Sequence, residues 1–204
     1  MSTSLARGSD NPAVSNTRRA ATVITEALAP AVLVAVISPI IAWHAGSPGW
    51  GVATAVFTAG VPMAYVLRGV RRGEYDDHHV GDRAKRPLIL AFAGGSVGVL
   101  LALMVLLDAP RDMIALVIAM LCGLALTLAV TYLARWKVSL HTAVASGTVT
   151  TLVLTFGPWL NVGWALVGAI MWSRVTLRAH TPMQTVVGLL LGLLAAGAIY
   201  PALR

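Results

Sequence analysis

Three polar clusters interrupt an otherwise apolar chain, and each holds residue types that handle phosphate. The first is His79-x6-Arg86-Pro87, with Arg83 and Lys85 between. The second is Ser139-Leu140-His141, directly after Lys137. The third is Ser173-Arg174-x5-His180-x3-Gln184. Arginine grips a phosphate as a bidentate fork and lysine meets it as a point charge. Two histidines beside a bound phosphate divide the chemistry. One attacks phosphorus, and the other protonates the leaving oxygen.

The elements that must position these clusters are membrane helices. Of 204 residues, 57% are hydrophobic and 11% charged, with a mean hydropathy of +0.79. A soluble domain carries about 25% charged residues. That balance excludes a soluble globular protein and a disordered chain. A single cysteine, Cys122, excludes a disulfide scaffold. The net charge of +7 does not make the chain a nucleic-acid module, and no nucleic-acid partner is expected. Seven apolar segments of membrane-spanning character are predicted: 27–45, 50–68, 87–107, 112–134, 138–156, 158–173 and 182–201. Six spans result if one short half is re-entrant. The first two separate at the turn cluster His44–Gly49, and the fifth and sixth at Gly157-Pro158. Residues 1–26 read as a disordered cytoplasmic tail without a cleavable signal. Residues 27–204 form one all-α transmembrane bundle. Gly94-x-x-x-Gly98 and Gly188-x-x-x-Gly192 allow close helix packing. Pro39 and Pro62 are expected to kink their spans.

Basic residues fall in alternate connections. The tail has Arg7, Arg18 and Arg19; the later ones have Arg68, Arg71, Arg72, Arg83, Lys85 and Arg86, then Arg135 and Lys137, then Arg174 and Arg178. The positive-inside rule puts these connections in the cytoplasm of a bacterial-type plasma membrane. All three clusters then share one membrane face. Each also sits at a helix start, where free N–H groups and the positive dipole end favour an anion. Ser139 fits an N-cap, and Thr181-x-x-Gln184 a capping box.

The order of the three clusters resembles the type 2 phosphatidic acid phosphatase (PAP2) superfamily, membrane lipid phosphatase branch, over residues 76–192. Its pattern is Lys-x6-Arg-Pro, then Pro-Ser-Gly-His, then Ser-Arg-x5-His-x3-Asp. Ser173, Arg174, His180 and Arg86-Pro87 fall in register. Four positions depart: His79 stands at the Lys, Val138 at the Pro, Leu140 at the Gly and Gln184 at the Asp. The resemblance implies a metal-independent phosphoric ester hydrolase with no cofactor. Its substrate would be a lipid phosphate monoester or diphosphate: phosphatidic acid, phosphatidylglycerol phosphate, a polyprenyl (di)phosphate or a polyprenyl-linked sugar phosphate. It casts His180 as the nucleophile that becomes phosphohistidine and His141 as the general acid, with Gln184 orienting His180. His79, Arg83, Lys85, Arg86, Ser139 and Arg174 would bind phosphate. Partners are the lipid phosphate and membrane lipids; the oligomeric state is left open.

Residues 113–204 contain no Asp or Glu. If a carboxylate assists His180, it must therefore come from Asp76, Asp77 or Asp82. Two other readings stand beside this one, the first motivated by Gln184, Leu140 and His79. One is a lipid-phosphate-binding membrane protein with weak or no turnover. The other is a small transporter, although a proton path usually needs intramembrane acids. The adjacent pair His78-His79 does not suit one metal ion, and no metal is expected.

Overall fold

The structure is a computed structural model that describes the backbone of residues 12–73 and 86–204, and the side chains of 15–73 and 92–204. These residues form helices α1 (Pro12–Ala27), α2 (Pro30–His44), α3 (Pro48–Ala55), α4 (Val61–Arg71), α5 (Arg86–Leu106), α6 (Arg111–Leu133), α7 (Leu140–Phe156), α8 (Trp164–Thr176) and α9 (Pro182–Leu203). No strand occurs among them, so the fold is all-α. Every apolar segment predicted as a span is helical. By length and composition, three helices can cross a membrane among the described residues: Pro48–Arg71, Arg111–Leu133 and Pro182–Leu203. The bent pair Ser15–Ala27 and Pro30–His44 makes a fourth if it counts as one span. Leu140–Phe156 is apolar but shorter, with 17 residues.

The breaks lie where the turn residues placed them. Gly46 takes φ 69° between α2 and α3. Gly157 takes φ 106° after α7, a conformation a side chain resists, and a 3₁₀ turn over Pro158–Gly163 leads into α8. α2 continues through Pro39. Ahead of Pro62, a π-helical turn over Val56–Gly60 joins α3 to α4.

Two expectations need correction. The tail is not wholly irregular, because residues 12–27 are helical and pack on α8. Ala21 and Thr25 are buried, and Ile24 and Leu28 pack against the core with them. These residues recur every three or four positions, which gives α1 a buried stripe that offsets its polar composition. Gly94 and Gly98 do not mediate close packing among the described residues either: a methyl group added at either would meet none of their atoms within 4 Å.

The core that carries the site is α7 against α9. The two helices run parallel, with α8 returning between them in sequence. A β-carbon at Gly188 would collide with the Ser139 carbonyl and the Thr142 hydroxyl. One at Gly192 would collide with the Ala143 carbonyl and the Ser146 hydroxyl. Glycine therefore lets the backbones meet. Thr142 Oγ1 donates to the Thr185 carbonyl at 3.0 Å, and Ser146 Oγ to the Leu189 carbonyl at 2.9 Å. Interhelical bonds of this kind contribute about 0.6 kcal/mol each in lipid. α6 packs along the other side of α9, and α2 along α7.

Candidate active site

The parallel packing of α7 and α9 brings two helix N-termini side by side. Ser139 is fully buried at the start of α7, and its Oγ accepts from the Thr142 N–H at 3.5 Å. The Ser139 N–H donates to the Gln184 carbonyl at 3.2 Å, tying this start to the first turn of α9. Thr181 caps α9 by accepting from the Gln184 N–H at 3.4 Å. The second and third clusters thus meet at one end of the bundle. His141 lies in the first turn of α7 and is half-buried.

His180 sits in the short turn between α8 and α9. That turn closes through Arg178 at φ 55°, with the Ala179 and His180 N–H groups both donating to the Arg174 carbonyl at 3.0 and 3.2 Å. His180 Nδ1 lies 3.2 Å from Gln184 Oε1. The same oxygen accepts from the Thr181 N–H at 3.1 Å. A backbone N–H can only donate, which fixes this end of the amide as its oxygen. An amide oxygen can only accept, so Nδ1 carries the imidazole proton. Nε2 is left with the lone pair. The capping box and the orienting contact are one structure, with Gln184 serving both.

The surroundings keep that ring neutral. Burial, and then the positive charges of Lys137 and Arg174, push His180 down from 6.5 to about 4, against a smaller opposing effect of the Gln184 hydrogen bond. Lys137 is nearer the centre of the site than a topology signal needs to be. Its Nζ donates to the Ala179 carbonyl at 2.8 Å, bracing the α7 approach against the His180 turn.

Arg174 ends α8 facing the same turn. Its Nε is buried and has no hydrogen-bond partner among the described residues. Unsatisfied buried donors are rare and call for an explanation. Beside it, Ser173 is fully buried and shares a hydrogen bond of 3.0 Å with Thr25 of α1. The adjacent Glu26 acts electrostatically on Arg174. Among the described residues, the acid that acts on Arg174 comes from α1, which the sequence reading had placed in the tail. The signal that could have found it is the buried stripe Ala21-x3-Thr25-x2-Leu28. His79, Arg83 and Lys85 lie outside the described residues, as do Asp76, Asp77 and Asp82. Arg86 is the first residue of α5, and its side chain is likewise outside them.

Adjacent N-termini, a buried serine, Lys137, Arg174 and a neutral imidazole together favour an anion with a reactive centre. Residues 132–204 match the family model of the PAP2 superfamily. Over this segment the chain is similar to that superfamily. The matched segment spans α7 to α9 and contains the second and third clusters. No curated protein and no solved structure matches the chain. PAP2 members are generally phosphatases acting on phosphate esters, often of lipids. Its apolar helices fit an integral membrane protein.

Proposed function

We propose that the chain hydrolyses a phosphate monoester or diphosphate of a membrane lipid through a phosphohistidine, without metal. The observation that carries this reading is the pinned amide of Gln184. By holding the proton on Nδ1, it directs the lone pair of His180 Nε2 outward. In the proposed cycle Nε2 attacks phosphorus and the P–O bond to the lipid breaks. His141 gives its proton to the departing oxygen. A water then attacks the phosphohistidine with His141 as base, which releases inorganic phosphate and restores both rings. Arg174, Arg86, Ser139 and the His79, Arg83 and Lys85 positions hold the phosphate oxygens. Such transfers depend on positioning and on charge aimed at the transferring group. The PAP2 match and the membrane-length helices support a lipid substrate. The basic connections at this end of the bundle support a cytoplasmic site.

Phosphate release from a panel of lipid phosphates tests the reading, using protein purified in detergent with a chelator present. Wild type should release phosphate from at least one lipid, and His180→Ala should not. No release from any lipid, or full activity in His180→Ala, contradicts it. Gln184→Asp restores the carboxylate found in the family pattern and is expected to raise the rate.

A further inference from the structure

Helix α1 lies outside the matched segment 132–204, yet it reaches the third cluster through two consecutive residues. The first is Thr25, which is buried with its Oγ1 3.0 Å from Ser173 Oγ. Ser173 has one hydroxyl proton and donates it to the Ile170 carbonyl at 2.8 Å. Thr25 is therefore the donor of the pair and Ser173 the acceptor. Ile24 and Leu28 flank Thr25 in sequence and pack against the cluster that holds Val167 and Ile170 of α8. This anchor lies one residue before Arg174, whose carbonyl accepts the Ala179 and His180 N–H groups. The seat of α1 on α8 thus bears on the guanidinium and on the His180 turn together. The second residue is Glu26. It is exposed and acts on Arg174 by charge, but it is not the acceptor of the buried Nε, which has no hydrogen-bond partner among the described residues. The carboxylate counters the guanidinium and leaves that donor for an oxyanion.

We propose that α1 is a functional part of the phosphate site, with Thr25 as a positioning residue for Ser173, Arg174 and the His180 turn, and Glu26 as a fixed counter-charge that sets how tightly Arg174 holds a phosphate. The inference rests on the phosphate site of the reading above and adds residues from a helix outside the matched segment. A side-on grip of an oxyanion by a guanidinium is geometric, so it depends on where α8 ends. Without the Thr25 hydroxyl, Ser173 loses the donor that ties it to α1. The carboxylate of Glu26 repels a phosphate dianion on Arg174, and salt screens this repulsion because Glu26 is exposed. The two neighbours therefore act with opposite sign. Thr25 favours phosphate binding, whereas Glu26 limits it and so eases the release of inorganic phosphate.

The test is the dissociation constant of inorganic phosphate, titrated into the full chain in detergent with a chelator present. Thr25→Val keeps the shape of the side chain and removes the hydroxyl; it should raise the constant about five-fold or more. Thr25→Ser keeps the hydroxyl and should stay within about two-fold of wild type. Glu26→Gln should lower the constant about three-fold at low salt, and its difference from wild type should vanish at about 1 M sodium chloride. Val23→Ala, on the exposed face of α1, should leave the constant unchanged. A general folding defect would move every α1 variant the same way, whereas opposite signs at adjacent positions report the site. An unmoved constant in Thr25→Val overturns the proposal. So does an equal rise in Thr25→Ser or Val23→Ala, a constant that does not fall in Glu26→Gln, or a wild type that binds no phosphate. The same proteins, assayed for phosphate release from the lipid panel, separate this proposal from the phosphatase reading. The expected shifts in binding without release from any lipid support the proposal and contradict that reading. Lipid turnover with unmoved constants does the reverse.

Discussion

The α7–α9 pair has polar groups at both ends, and the two ends use them differently. At the far end Tyr200 is fully buried and donates to Asp112 at 3.3 Å, with Thr155 Oγ1 3.0 Å away. Arg204 lies over the Tyr200 ring and donates to the Leu154 carbonyl at 3.1 Å. Acid, base and hydroxyl all have counterparts there, so that end holds the helices together. At the near end the exposed Glu26 acts electrostatically on Arg174, and the buried Nε of Arg174 has no protein acceptor among the described residues. A buried guanidinium N–H without an acceptor, beside two helix N-termini, favours an incoming anion. Among the described residues, the same helices thus carry a satisfied polar network at one end and an unsatisfied donor at the other.

This contrast can be broken by substitution. The largest effect on rate is expected from His141→Ala, a loss of about 10²–10⁴ in kcat if His141 is the proton donor. A lesser loss, with KM raised instead, would make His141 a binding residue. Gly192→Leu should affect both ends at once, because its side chain has no room against Ala143 and Ser146. A cost on the order of 3 kcal/mol is expected from overpacking, read from the unfolding midpoint in detergent. Tyr200→Phe should act on stability alone, by about 1 kcal/mol, with phosphate release unaltered. A fall in turnover there would mean that the two ends are coupled.

The smallest expected effect is a pH dependence. The folded state holds His180 near 4, while the unfolded chain titrates near 6.5. Between these values the unfolded state binds more protons. Stability should therefore be fully present above about pH 6.5 and decline as pH falls toward 4. His180→Asn should flatten that slope in a pH series of unfolding midpoints.

Much of this arrangement is legible in the sequence. The turn residues at 44–49 and 157–158 mark real breaks, and the capping box at Thr181 is formed. The packing glycines at 188 and 192 are used as the spacing suggests, whereas Gly94 and Gly98 have the same spacing and no neighbour among the described residues. Spacing records what a helix face permits; only the partner helix decides whether it is used. α1 was obscured because Arg18, Arg19 and several small polar residues outweigh a narrow buried stripe. Its contacts with Ser173 and Arg174 are separated by some 148 positions, and no local pattern reports such a pairing. The bracing role of Lys137 is hidden for the same reason, since its acceptor is a backbone carbonyl of a distant turn.

The central claim is that His180 Nε2 takes the phosphoryl group. The most direct measurement is an alkaline quench of the enzyme during turnover of a lipid phosphate labelled with ³²P, followed by peptide mapping. An alkali-stable, acid-labile label on His180, absent from His180→Ala, is the predicted result. Turnover that continues in His180→Ala, or label that maps to another residue, would contradict it.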